Sequence, residues 1–254
     1  MNEIAGYHIL SKLGTGARST IYAVQDKDGQ VYALKHVARR SAADQRFVDQ
    51  AISEHEIASK FDHPSLRRSI KLMRSRTLLR VNEVHALMEL IDGQPLSDYE
   101  PASMTELCEI FIGVAQGLKV MHEAGYVHAD IKPNNIMVVN NDGVKIIDFG
   151  LSKRAGDVQL TQEGEILGTV AFIAPETISG AEPDICSDIY ALGVLLYLAL
   201  ADELPFTSPN AIQLAAEILQ PGPAALSDGL LRLCTIMDTW HTAPGQPVPN
   251  PRSH

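Results

Sequence analysis

The segment His128-Ala129-Asp130-Ile131-Lys132-Pro133-Asn134-Asn135 lies between two apolar stretches and offers a carboxylate, an ammonium two residues on and an amide five residues on. These are groups that a phosphoryl transfer needs. Asp130 can orient a hydroxyl and accept its proton, Lys132 can neutralise the moving charge, and Asn135 can bind a metal. Asp148-Phe149-Gly150 follows the apolar run Val144 to Ile147 and adds a second metal-binding carboxylate, with a glycine that permits a sharp turn. Either segment alone reads as a loop accident; in this order and spacing they argue together for phosphoryl transfer.

Two upstream signals are weaker taken singly. Gly14-Thr15-Gly16-Ala17-Arg18-Ser19 is GxGxxS, a pattern that is often only a flexible hairpin. Its place between two strands, rather than between a strand and a helix, argues against a dinucleotide fingerprint and for a hairpin folding over phosphates. Ser19 at the third position stiffens the loop. Lys35 ends the run Val31-Tyr32-Ala33-Leu34-Lys35, where alternation sets it on the face of Val31 and Ala33, and an unpaired ammonium there is costly. Glu54 is a carboxylate on an otherwise apolar helical stripe and can satisfy it. The pair reads either as an anion-holding lysine with its partner or as a plain salt bridge between elements.

The elements that must position these groups follow from periodicity. Tyr7 to His36 is rich in β-branched and aromatic residues, broken at Gly14-Thr15-Gly16 and Asp28-Gly29, which predicts three antiparallel strands. Phe47, Ala51, Glu54, Ala58 and Phe61 recur at helical spacing. Ile70 to Arg80 and Val84 to Leu90 read as two further strands, and Ile91 to Pro95 as a linker. Ser103-Met104-Thr105-Glu106 is a capping box that opens a helix with its stripe at Leu107, Ile110, Phe111, Val114, Leu118 and Met121, ended by Gly125. Ile136–Val139 and Val144–Ile147, joined by Asn141-Asp142-Gly143, form a hairpin, and helices and loops follow Ala174. The stretch 241–254 holds four prolines without apolar periodicity and is expected to be disordered.

Composition narrows the partners. A net charge of −10 disfavours nucleic acid. Three cysteines, Cys108, Cys186 and Cys234, are widely spaced and form no CxxC pair, so neither a disulfide framework nor zinc is indicated, and a reducing, cytoplasmic location is expected. The first residues carry no basic region leading into an apolar run, so no secretory signal is read there. Ile189 to Ala201, the longest apolar stretch, is too short for a membrane span and reads as a buried helix.

On these motifs the chain resembles the eukaryotic-like (Hanks-type) protein serine/threonine kinases, in a wording similar to bacterial members, from about Tyr7 to Met237. The resemblance implies an α+β fold with two lobes: a small antiparallel-sheet N-lobe with one main helix (residues 1–90), a hinge (91–95) and a larger, mainly helical C-lobe (96–240). It implies ATP and Mg²⁺ as cofactors and Ser/Thr hydroxyls of proteins as acceptors. Asp130 would be the catalytic base and Lys132 its companion, with Asn135 and Asp148 on the metal. Lys35 would contact the α/β-phosphates and pair with Glu54, Glu56 being the alternative. Gly14, Thr15, Gly16 and Ser19 would cover the phosphates, and Ile21, Ala33 and Met137 would sandwich the adenine. Met88 would be the gatekeeper, with the backbone of Glu89 and Ile91 bonding the base. Gly168-Thr169 and Ala174-Pro175-Glu176 match the substrate-seating segment, and Asp188 with Gly193 the helix that anchors the catalytic loop. Lys132 and Thr169 are the serine/threonine forms.

The chain also departs from that family. Ser19 replaces a glycine, Ala129 replaces the arginine before the catalytic aspartate, and no arginine stands where one pairs with Glu176, Arg232 being too early and Arg252 lying in the proline-rich tail. Without an arginine at 129, activity is expected to be independent of phosphorylation on the loop hydroxyls Ser152, Thr161 and Thr169, of which Thr161 is the best acceptor. A pseudokinase scaffold and an aminoglycoside- or choline-type small-molecule kinase are the rival readings. Arg67, Arg68, Lys71, Arg74, Arg76 and Arg80 form a basic stretch that reads either as a solvated strand face and loop or as a docking site.

Overall fold

The computed structural model describes residues 3–16, 18–77, 80–140, 143–154 and 170–220. A six-stranded antiparallel sheet comes first, in the order β1-β2-β3-β4-β6-β5. Its strands are β1 (Glu3–Ile4), β2 (Tyr7–Thr15), β3 (Ser19–Gln25), β4 (Val31–Ala38), β5 (Ser69–Thr77) and β6 (Arg80–Met88). Helix α1 (Gln45–Ala58) packs Val48 and Ala51 onto Val37 and Val84 of the sheet. Its inward stripe runs through Val48 rather than Phe47, which is only partly buried.

The second half is built on α2 (Met104–Glu123), which lies against a three-stranded sheet of β7 (Gly93–Pro95), β9 (Ile136–Val139) and β10 (Gly143–Ile146) in the order β10-β9-β7. A Cβ at Gly117 of α2 would meet Ile146 Cδ1 at 3.0 Å and Leu66 Cδ2 at 3.2 Å, so glycine lets helix and sheet approach closely. Ile110, Val114, Leu118 and Met121 bury there with Ile136, Val144 and Ile146. The short β8 (Tyr126–Val127) pairs with β11 (Lys153–Arg154). Then follow α3 (Pro175–Ile178), α4 (Ile185–Ala201), capped by Asp184, and α5 (Ala211–Ile218). Among the described residues no helix is long and apolar enough to cross a membrane.

Four local expectations change. β1 is an additional strand, two residues long and without alternation to reveal it. Arg80 opens β6 opposite Thr77 instead of closing β5. Gly93–Pro95, expected within a linker, pairs with β9. At the start of α2, Ser103 accepts the Glu106 N–H at 3.2 Å, but the Glu106 carboxylate takes the N–H of Ala102, one residue before the cap, at 2.6 Å, and the Tyr99 hydroxyl. The tail 241–254 and most of the Asn141-Asp142-Gly143 turn lie outside the described residues.

Candidate active site

The loop after β8 is held from below by one buried carboxylate. Asp188, in the first turn of α4 and 1% exposed, accepts the N–H groups of His128 and Ala129, both at 2.8 Å, and the His122 ring N–H at 2.8 Å. Ala129 adopts φ +64°, a left-handed conformation disfavoured for a residue with a Cβ, and the Asp188 bond to its N–H helps hold it. His128 is fully buried. Its Nε2–H donates to the Ile147 carbonyl at 3.2 Å, and its Nδ1 accepts the Asp130 N–H at 3.3 Å.

At the mouth of this loop the predicted residues meet. Asn135 Nδ2 donates to the carboxylate and to the carbonyl of Asp130, both at 2.8 Å, and Lys132 Nζ lies 3.0 Å from the same carboxylate. Both amide protons of Asn135 are therefore engaged, and its Oδ1 takes no hydrogen bond among the described residues. The Ile147 N–H donates to the Asn135 carbonyl at 2.9 Å, which ties Asp148 to this loop. Asp148 itself has φ +62° and accepts the Gly150 N–H at 3.1 Å. A Cβ on Gly150 would stand 2.8 Å from Gln50 Nε2 and 2.9 Å from Asp148 Oδ1, so a side chain there would displace the Gln50 amide and the Asp148 carboxylate. Gln50 of α1 donates to the Gly150 carbonyl at 3.2 Å, and Phe149 is 1% exposed, its ring 5.6 Å from that of His128.

Across the cleft, Lys35 Nζ meets Glu54 Oε2 at 2.5 Å. Glu54, 4% exposed, also receives Arg67 at 3.0 Å on its other oxygen, so each oxygen of the carboxylate has a cation. Glu56 instead pairs with Arg74 on the surface. Burial alone would lower the pKa of Lys35, but the charges of Glu54 and Asp148 outweigh it and the net shift is upward. Burial would likewise raise Asp148, yet Lys35 and Arg67 hold its carboxyl below the ordinary carboxylate range. Both groups are thereby kept charged.

Strand register puts Ile21 opposite Lys35 and Ala33 opposite Met88, so the four share the cleft face of the sheet. Met88 is 2% and Ala33 7% exposed. Met137 lies on β9 beside Lys145, whose ammonium reaches Glu89 at 2.9 Å. The Ile91 N–H takes no backbone partner among the described residues. Gly14 and Thr15 end β2, paired with Ile21 and Thr20 of β3, and Gly16 opens the turn between the two strands, its N–H donating to the Ser19 carbonyl at 2.9 Å.

In the basic stretch, Arg67 is taken up by Glu54, Arg68 faces Asp62 at 3.5 Å and Arg74 faces Glu56 at 3.1 Å, and the side chains of Arg76 and Arg80 lie outside the described residues. Ser152 is no phosphate acceptor, being 4% exposed and donating to the His128 carbonyl at 3.1 Å. In place of an arginine, Glu176 accepts the Ser187 hydroxyl at 2.9 Å. Arg67, Lys145 and Arg18, which pairs with Asp44 at 2.9 Å, were not singled out as site residues by sequence, because their partners lie on other elements. Thr161, Gly168, Thr169, Arg232, Cys234 and Arg252 lie outside the described residues.

An orienting carboxylate facing a paired lysine across a cleft, with a second ionised carboxylate beside it, is an arrangement suited to phosphoryl transfer. The comparisons agree. The protein kinase domain family matches residues 7–234. The serine/threonine-protein kinase PknA of Mycobacterium tuberculosis is 28% identical over 229 residues, 88% of this chain and 53% of that protein. The probable serine/threonine-protein kinase CE0033 of Corynebacterium efficiens is 30% identical over 231 residues, 87% of this chain and 34% of that protein. PknL of M. tuberculosis is 30% identical over 239 residues, 88% and 57% respectively. The chain thus spans about half the length, or less, of these relatives. It belongs to the protein kinase domain family.

Proposed function

We propose that the chain is an ATP-dependent protein serine/threonine kinase, with residues 1–90 as N-lobe, 91–95 as hinge and 96–240 as C-lobe. The observation that carries this reading is the two-sided site, Lys35 on Glu54 at 2.5 Å and Asp130 on Asn135 at 2.8 Å. Ile21, Ala33 and Met137 enclose the adenine, Met88 closes the back, and the backbone of Glu89 and Ile91 bonds the base edge. Gly14, Thr15, Gly16 and Ser19 fold over the phosphates, and Lys35 holds the α- and β-phosphates with an ammonium that Glu54 orients. Asp130 accepts the proton of a Ser or Thr hydroxyl as its oxygen attacks the γ-phosphorus and ADP leaves, and Lys132 balances the charge that develops.

Asp148 and the Oδ1 of Asn135 are hard oxygen donors, and Asp148 is held ionised, so the pair fits Mg²⁺. Bound there, Mg²⁺ would neutralise charge on the phosphates. Because Lys35, Asp130, Asn135 and Asp148 are all present, a scaffold without turnover is not favoured. Incubation with γ-labelled ATP alone, with casein and with small alcohols tests the reading. Label on serine or threonine of casein is expected. Label on the alcohols alone, or no transfer, would reject it.

A further inference from the structure

Lys35 and His36 are neighbours on β4, and strand alternation turns them to opposite faces of the sheet. Lys35 faces the cleft, so His36 faces outward. There it stands directly opposite His85 of β6, and Glu83, two residues before His85, lies on the same face. The two imidazoles stack with centroids 4.7 Å apart and planes 7° from parallel. His36 Nε2 is 2.5 Å from Glu83 Oε1, and His85 Nε2 is 3.6 Å from the same oxygen. One donor atom from each residue falls within 4.8 Å of the other two. His85 is only 6% exposed, and the proposed phosphoryl transfer uses none of the three.

We propose that His36, Glu83 and His85 form a binding site for a divalent transition-metal ion of the Zn²⁺ class on the outer face of the N-terminal sheet. Two imidazoles and one carboxylate are the donor set that borderline ions favour, whereas Mg²⁺ and Ca²⁺ take all-oxygen shells. Donors about 2.0–2.1 Å from a tetrahedral ion stand roughly 3.3 Å from each other, close to the His85–Glu83 separation of 3.6 Å. The ion would take the place of the proton that His36 and Glu83 share; the two would part by less than an ångström to roughly that spacing, and the more exposed His36 ring would turn out of the stack so that both imidazole lone pairs meet the ion. Glu83 and His85 border an open pocket of about 440 Å³, whose lining also includes Glu3, Met73, Arg74 and Ser75, and on that side a fourth ligand such as water would have room. Cysteine spacing does not reveal this site, because its donors are imidazoles and a carboxylate that meet across two strands.

Co²⁺ is the spectroscopic probe and Zn²⁺ the competitor, added to the full chain. One Co²⁺ per chain should bind with the intense visible absorption of a four-coordinate ion and be displaced by Zn²⁺. His36→Gln and Glu83→Gln should each weaken Zn²⁺ at least tenfold while Mg-ATP affinity stays unchanged, since neither residue faces the cleft. His85→Ala, the most buried of the three, should lose the cobalt spectrum, and the two other variants decide the matter if it does not fold. Cobalt that keeps the weak spectrum of the six-coordinate aqua ion, or Zn²⁺ affinity unaltered in His36→Gln, would overturn the proposal.

Discussion

Replacing Glu54 with glutamine keeps the volume of the side chain but removes the charge that Lys35 and Arg67 share. Glutamine can accept a hydrogen bond from one of the two cations; its NH₂ group then confronts the other, donor against donor. One charge-assisted hydrogen bond is lost outright, worth about 1.5–3 kcal/mol, in a place where the carboxylate is 4% exposed and solvent cannot compensate. If the ammonium of Lys35 is needed in that position for transfer, kcat/KM should fall on the order of a hundredfold, each factor of ten corresponding to about 1.4 kcal/mol. Glu56→Gln breaks only the surface pair with Arg74, in which Glu56 is 60% exposed, and should change the rate less than about fivefold. Steady-state kinetics on a protein substrate, with melting curves to confirm folding, measures both. Equal losses at the two positions, or a Glu54→Gln enzyme within about fivefold of wild type, would refute the role of the pair.

Asp188→Asn keeps one oxygen as acceptor but turns an NH₂ group on the donor or donors that the other oxygen serves, Ala129 on one side or His122 and His128 on the other, at a site 1% exposed, so Tm should fall on the order of 8 °C, from roughly 2–3 kcal/mol, together with the rate; an unchanged melting curve would contradict the anchoring role. Ala129 offers no guanidinium to a phosphate, so phosphatase-treated enzyme and Thr161→Ala should retain activity on an exogenous substrate, and a loss of about a hundredfold, roughly 2.7 kcal/mol, would sink that expectation. Asp148 is depressed in the folded state, so its charge stabilises the fold above the unfolded value of about 3.9, and that contribution is lost as pH falls through the lower folded value. Asp148→Asn should therefore flatten the acid limb of Tm against pH below about pH 4.

The residues that could be read from sequence are those whose chemistry is contiguous. Asp130, Lys132 and Asn135 belong to one loop, where the types and spacing already carry the meaning, and the strands bearing Lys35 and Met88 show themselves by alternation. Glu54 was legible as a carboxylate stranded on an apolar stripe. Arg67 was not, because its partner sits thirteen residues away on a helix, and in sequence it joins a run of like charges. Ser152 looked available because burial is a property of the fold, and the pairing of β11 with β8 that carries it under His128 leaves no trace in two residues. The link from Lys145 to Glu89 joins β10 to the end of the first sheet, a relation that no local pattern encodes.

The most direct test of the account measures phosphoryl transfer and Mg-nucleotide affinity in the same preparations of wild type, Asp130→Ala and Asp148→Ala. Wild type should place label on serine or threonine of a protein substrate. Asp130→Ala should bind Mg-ATP as wild type does and lose transfer, because its interaction with the hydroxyl is realised in the transition state. Asp148→Ala should lose transfer and Mg-dependent affinity together. Transfer that persists in Asp130→Ala, or affinities that rank the other way, would contradict the assignment.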